Sequence, residues 1–187
     1  MVNFRKWFGG GDEETDDAPL DLTLGNLQVG WMVDYDLETW EVKGYNTYDY
    51  DGFVTREWEL HSGRQVLFLE LEEDDGQRRW TLSRSLALGE LEEDVSAAIA
   101  AADEPPELVH WSGRAFNGVS SDAGEYTRVS GGGSDTRARR EFVAWTYEAD
   151  DGHLLFLSRY GEQDLVAYEG QRVEEYQFTD ILPGGGE

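Results

Sequence analysis

Tyr45, Tyr48 and Tyr50 stand with Asp49 and Asp51 in a single short segment, Tyr-Asn-Thr-Tyr-Asp-Tyr-Asp. Aromatic faces beside carboxylates attract organic cations: the ring quadrupole and the negative charge act in the same direction. These five residues are the candidate ligand site, and a polyamine or a basic peptide is the ligand they suit. The competing reading is a hairpin loop whose Tyr rings cover a sheet edge. The same stretch resembles the start of a calcium loop if Thr47 is position one, because Asp49, Asp51 and Gly52 then fall at positions three, five and six. Position twelve is Trp58 where a bidentate Glu is required, so no calcium site is expected.

The three histidines, His61, His110 and His153, follow no metal-ligand spacing. His61 and His153 sit beside turns and read as solvent-facing turn residues. The chain has no cysteine, which excludes disulfides and thiolate chemistry. Nucleophile-elbow, P-loop and dinucleotide fingerprints are missing. Gly131–Ser134 is followed by neither a Lys nor a helical pattern, so it reads as a linker. No catalytic residue, metal ligand or cofactor is expected. An enzyme assembled from distant residues is the third-ranked reading.

A second candidate lies at the N-terminus. Phe4, Trp7 and Phe8 share one face if residues 1–8 are helical, with Arg5 and Lys6 beside them. Aromatic rings with flanking basic groups suit a membrane interface. A frayed terminus, or an aromatic plug docked on the protein's own core, is the alternative.

Charge bounds the partners. Forty acidic residues against fifteen basic ones leave a net charge of −25. Only Lys6 and Lys43 are lysine, and the other basic residues are arginine. Such a composition resembles that of proteins from salt-in halophiles, especially haloarchaea; an acidic protein of a GC-rich mesophile is the alternative. No basic stripe exists to release counterions, so nucleic acid is not an expected partner. Arg137, Arg139 and Arg140 cluster beside the Gly/Ser stretch and read as a solvated loop edge. The N-terminus lacks an apolar run of signal-peptide length, and no run approaches the roughly 20 residues of a membrane span. The expectation is a cytoplasmic protein, peripheral at the inner face of the membrane if the N-terminal segment engages lipid.

The elements that must position these residues are mostly strands. Leu27, Val29, Trp31 and Val33 alternate, as do Trp40 and Val42. Val54–Leu60, Val66–Leu71 and Trp80–Leu82 follow, with turns at Ser62-Gly63 and Asp74–Gly76. Glu90–Ala102 is acidic, then alanine-rich, and is closed by Pro105-Pro106, which predicts one helix. Strands resume at Val109–Trp111, Glu125–Val129, Phe142–Glu148, Leu154–Tyr160, Asp164–Tyr168 and Arg172–Phe178. Trp58-Glu-Leu60, Gly63 and Val66-Leu-Phe-Leu69 are echoed by Trp145-Thr-Tyr147, Gly152 and Leu154-Leu-Phe-Leu157. The echo predicts a duplication, with Trp58, Phe68, Trp145 and Phe156 buried at equivalent places. Neither hairpin can bury both its faces alone, so sheets must pack face to face or curl. The expected fold is mainly β: two related antiparallel halves of small-barrel character, packed together with one connecting helix. The expected organisation is a flexible segment and acidic linker over 1–21, a first β unit over 22–88, a helical connector over 89–107, a second β unit over 108–183 and a tail over 184–187.

The ordered pattern Leu24-Gly-Asn-Leu-Gln-Val-Gly-Trp-Met-Val-Asp-Tyr-Asp36, Trp40-Glu-Val-Lys-Gly-Tyr45, Arg56-Glu-Trp-Glu-Leu60, Trp145-Thr-Tyr147, Gly152, Phe156, Tyr168-Glu-Gly170 and Ile181-Leu-Pro183 resembles a bacterial and archaeal family. That family is the domain of unknown function numbered forty-one seventy-eight. It has no established activity, so the resemblance implies no catalytic residue. Some members are encoded beside phage-shock-type membrane-remodelling proteins, small membrane proteins and spermidine-synthase-like enzymes, which implies a setting rather than a mechanism. Leu27-Gln-Val29-Gly30 also looks like the first strand of SH3-like barrels. The leading expectation is a non-catalytic binding or adaptor module with protein partners, attached to a membrane-associated stress or remodelling system. A soluble binder of a polyamine-like cation is the alternative.

The charge argument is directly testable. Self-repulsion of 40 carboxylates falls as the Debye length shrinks to about 3 Å at 1 M salt. The unfolding midpoint, followed by tryptophan fluorescence, is expected to rise from low to molar KCl. A midpoint indifferent to salt removes the halophile reading.

Overall fold

In the computed structural model, residues 21–130, 138–162 and 164–184 are described. A run of five strands comes first: β1 (Met32–Tyr35), β2 (Glu38–Tyr50), β3 (Phe53–Ser62), β4 (Gln65–Asp74) and β5 (Gln77–Leu86). Helix α1 (Val95–Ala102) follows. The second run is β6 (Leu108–Trp111), β7 (Arg114–Ser130), β8 (Ala138–Ala149), β9 (His153–Tyr160) and β10 (Asp164–Val173), and β11 (Phe178–Leu182) ends the fold.

All eleven strands form one antiparallel sheet in the order β11-β1-β2-β3-β4-β5-β10-β9-β8-β7-β6, with an additional β2–β7 pairing. That pairing joins Gly44–Asp49 to Glu125–Ser130 and closes eight strands into a ring. The mainly antiparallel β class, with a single α-helix among the described residues, is therefore what the chain adopts. Of the two ways to bury both faces, the sheet curls, and the halves meet edge to edge at β5–β10 and β2–β7.

The two runs are alike at a few places. Asp36-Leu37 and Ser112-Gly113 are two-residue turns with both φ positive, as right-handed strand twist favours. Trp58 lies opposite Leu69 as Trp145 lies opposite Leu157. The long strand of each run carries an irregularity, between Val42 and Gly44 in β2 and between Gly118 and Ser120 in β7. Such a bulge shifts the face on which later side chains fall.

The apolar cores sit outside the ring. Trp58, Leu60, Leu69, Leu71, Trp80 and Leu82 pack under a cap of Leu24, Leu27, Trp31 and Phe178. Trp145, Tyr147, Leu155 and Leu157 pack under Leu91, Val95 and Ile99, together with Val109 and Phe116. Each indole is anchored to its covering segment: Trp58 Nε1 donates to Leu27 O at 2.8 Å, and Trp145 Nε1 donates to Glu104 Oε2 at 2.8 Å.

Four expectations need correction. Phe68 and Phe156 are only half-buried, because they alternate with the core leucines and face the ring's interior. The helix starts at Val95 rather than Glu90, because Asp94 caps it by accepting from Ala97 N at 2.9 Å. Tyr45–Tyr50 belongs to strand β2 and not to a hairpin loop. Arg139 and Arg140 lie in β8 rather than on a loop edge, and Arg140 stacks over Tyr160 while bonding Asp164 at 2.9 Å.

The closing seam depends on one missing side chain. A Cβ at Gly124 would lie 2.2 Å from the Asp49 carbonyl oxygen, a backbone atom that cannot swing away. Gly124→Ala is expected to destabilise the fold by about 2–4 kcal/mol in chemical denaturation, by forcing β2 and β7 apart. An unchanged denaturation midpoint would show that the seam does not hold the ring.

Candidate functional site

The ring's interior is polar and aromatic. One cavity of about 100 Å³ is lined by side chains from seven of the eight ring strands, which only the inner face can supply. β2 contributes Tyr48 and Tyr50, β3 Glu57 and β4 Glu70. The opposite wall brings Phe142, Ala144, Phe156, Ser158 and Tyr160 from β8 and β9, and Tyr168 from β10. Tyr126 from β7 completes the aromatic lining, packing on Tyr48 and Tyr160 with ring centroids 5.2 and 5.3 Å away.

Glu57 and Glu70 are direct cross-strand partners on β3 and β4, so their side chains leave the sheet together. The corresponding pair in the second run is Ala144 opposite Ser158, and both residues line the same cavity. The room in the chamber comes from these two short side chains, at the places where the first run carries two carboxyls.

Glu57 is held by donors. Asn46 Nδ2 donates to its Oε1 at 2.8 Å, and the Tyr48 hydroxyl donates to its two oxygens at 3.2 and 3.3 Å. The Tyr126 hydroxyl donates to Asn46 Oδ1 at 3.1 Å, and the Tyr48 and Tyr160 hydroxyls are 3.3 Å apart. The inward position of Asn46 and Tyr48 follows from the β2 bulge: Val42 faces the outer core before it, whereas Asn46 lies opposite Glu57 after it. Among the described residues neither Glu57 nor Glu70 forms a salt bridge. Burial pushes the Glu57 carboxyl up to about 7, against the lowering effect of the Asn46 and Tyr48 donors. Burial, followed by the charges of Glu57 and Glu72, pushes Glu70 up to about 8. Glu70 lines the open space and so keeps some accessible surface, yet among the described residues no donor offsets its desolvation. Near neutrality the pair therefore holds protons that exposed carboxyls would have released. Burial likewise raises the phenols of Tyr48, Tyr160 and Tyr168, and lifts Tyr126 to about 12. The rings therefore stay neutral and present π faces.

The five residues singled out in the sequence divide. Tyr48 and Tyr50 enter the chamber. Tyr45 lies outside the ring, against Trp58 at 5.6 Å between centroids. Asp49 accepts from Gly52 N at 2.7 Å and fixes the β2–β3 turn, where Asp51 has φ of 54°. Phe4, Arg5, Lys6, Trp7 and Phe8 lie outside the described residues. His61 comes within 3.9 Å of Glu59, and His153 lines a groove outside the ring. Sequence reasoning missed Glu57, Glu70, Phe142, Tyr160 and Tyr168. Glu57 alternates with Arg56, Trp58 and Leu60 as any solvent-side Glu does. The one available signal was Tyr or Phe recurring on the supposedly wet face of several strands.

Residues 28–175 match the model of a family described as "Domain of unknown function (DUF4178)". The chain belongs to this family. The match runs from just before β1 to just beyond β10, so it takes in every strand of the ring. An uncharacterised protein of Aquifex aeolicus (strain VF5) is 26% identical over 183 residues, covering 98% of each chain. No solved structure matches the chain. Among the described residues no helix is long and apolar enough to cross a membrane.

The carboxyl pair sets a pH dependence. Both folded values, about 7 and about 8, lie above the 4.5 of a free Glu side chain, so the folded chain holds protons that the unfolded chain has released. That stabilisation is complete below about pH 4.5 and is lost as pH rises through 7 to 8. At fixed salt, stability to urea is expected to fall by a few kcal/mol between about pH 5 and 9. Glu57→Gln/Glu70→Gln should flatten this slope. An equal slope in the double variant would assign the dependence to other groups.

Proposed function

We propose that this chain is a non-catalytic binding module whose ligand is a small organic ammonium ion, of the polyamine-like class, held inside the ring. The observation that carries the reading is the Glu57–Glu70 pair, facing a cavity walled by Tyr and Phe and left open by Ala144 and Ser158. One buried and one half-buried carboxyl without a counter-cation are costly, and they answer the cost by holding protons. An ammonium ion offers the alternative: its charge replaces the protons, and its N–H groups satisfy the carboxylate lone pairs. The surrounding rings favour an organic cation with an apolar body over a metal ion, which holds its hydration shell more tightly. The wider expectation of a binding or adaptor module takes its specific form here. We read the two strand runs as copies of one unit that diverged into a carboxyl wall and a small-residue wall.

Titration calorimetry with n-butylammonium tests the reading. The amine stays charged to about pH 10, as a lysine does. Binding is expected to release protons near pH 7.5, seen as a dependence of the heat on the buffer's ionisation enthalpy, and to tighten toward pH 9. Ala144→Leu, which fills the cavity, and Glu57→Gln/Glu70→Gln should each weaken binding at least about tenfold while the chain stays folded. Absence of binding to the wild-type chain, or equal binding by the double variant, overturns the reading.

A further inference from the structure

The chamber does not end at Glu70. A second cavity of about 520 Å³ shares Tyr50, Glu70, Thr81, Thr146 and Phe156 with the first, so the two adjoin along these side chains. It continues to exposed Ser120 and Asp122, at the rim of the ring. The pair of cavities changes character along its length. Its inner end holds the Glu57–Glu70 pair. Its middle is walled by Tyr50, Phe53, Leu154 and Phe156. Its outer end carries Glu72, Asp122 and Glu148, with Arg172 as the cation on that wall.

The acids at the rim are unevenly partnered. Glu72 is held by Arg79. Glu148 reaches Arg172 only at 4.0 Å. Asp122 makes no salt bridge among the described residues. A separate observation points to a missing ligand group. Thr55 lines the outer cavity, is 4% exposed, and its Oγ1 has no hydrogen-bond partner among the described residues. It sits two residues before Glu57 on the same, inward face of β3. A hydroxyl buried without a partner is a standing cost that a ligand N–H would relieve.

We propose that the ligand is an elongated dication, an α,ω-diammonium alkane or a longer linear polyamine. One ammonium is held at Glu57 and Glu70, and the second at Asp122 and Glu148. This rests on the reading of the inner chamber given above. Acid at both ends with an apolar middle matches two ammonium groups joined by methylenes. A compact monocation would use only the inner half. The second ammonium competes with Arg172 for Glu148 and brings Asp122 the counter-charge that no described side chain supplies.

The test compares n-butylammonium with the diammonium forms of butane, pentane and hexane, by calorimetry at about pH 8.5 and one salt concentration at which the chain is folded. At least one diamine is expected to bind about tenfold or more tighter than the monoamine. Asp122→Asn/Glu148→Gln should remove that gain and leave monoamine affinity unchanged. Both residues are at the rim, and circular dichroism confirms that the variant is folded. Diamines binding no tighter than the monoamine would overturn the second subsite and leave the inner site standing. A gain that survives in the rim variant would do the same. If neither class binds, the inner-chamber reading and this inference fall together.

Discussion

Ring closure is the constraint on which the rest of the molecule depends. An open sheet of these strands would place Glu57, Glu70 and the inward tyrosines in water, where they would be an ordinary polar surface. The six cross-strand pairs between Gly44–Asp49 and Glu125–Ser130 remove that option. They turn one face into an interior and leave the other to be covered by capping segments and the helix. The two apolar cores are thus external to the ring, and the chamber is enclosed without being a hydrophobic core. The bulge in β2 makes this compatible with the sequence: it lets Val42 face the first core while Tyr48, six residues on, faces the chamber.

Within this frame the carboxyl pair is a local energetic liability tolerated by the outer packing. Buried carboxyls favour the protonated form, and the Asn46, Tyr48 and Tyr126 hydrogen bonds compensate only on the Glu57 side. Glu70 is left to a proton or a ligand. The large outer cores, with Trp58 and Trp145 each tied to a covering segment, keep the ring closed around this site. Stability and binding chemistry are therefore divided between the two faces of one sheet.

The two strand runs do different work on the inner face and similar work on the outer one. Outside, Trp58 and Leu69 correspond to Trp145 and Leu157, and both sets are buried. Inside, Glu57 and Glu70 correspond to Ala144 and Ser158. A symmetric interior would either fill with four carboxyls or collapse around four small residues. The asymmetry produces both the charge and the space to use it.

Much of the fold was legible in the chain. Alternation of Trp, Leu and Val located most strands, Asp and Gly marked the turns, and the alanine-rich stretch marked the helix, because these signals are local. The candidate site was legible only in part. Tyr48 and Tyr50 could be singled out as aromatic groups in an acidic segment, but Tyr45, Asp49 and Asp51 could not be separated from them without the bulge and the turn that send them elsewhere. Glu57 and Glu70 were hidden among 40 acidic residues, since alternation fixes which residues share a face but not whether that face meets water. Much of β7 was missed because Arg114–Gly124 is mostly small and polar, with Phe116 alone of its side chains buried in the outer core, so its strand character comes chiefly from pairing with β8. Local composition thus specified strands, turns and the outer cores. The meaning of the other face was decided by a contact between residues about 80 positions apart, the β2–β7 seam, because only closure of the ring turns a wet surface into an enclosed one.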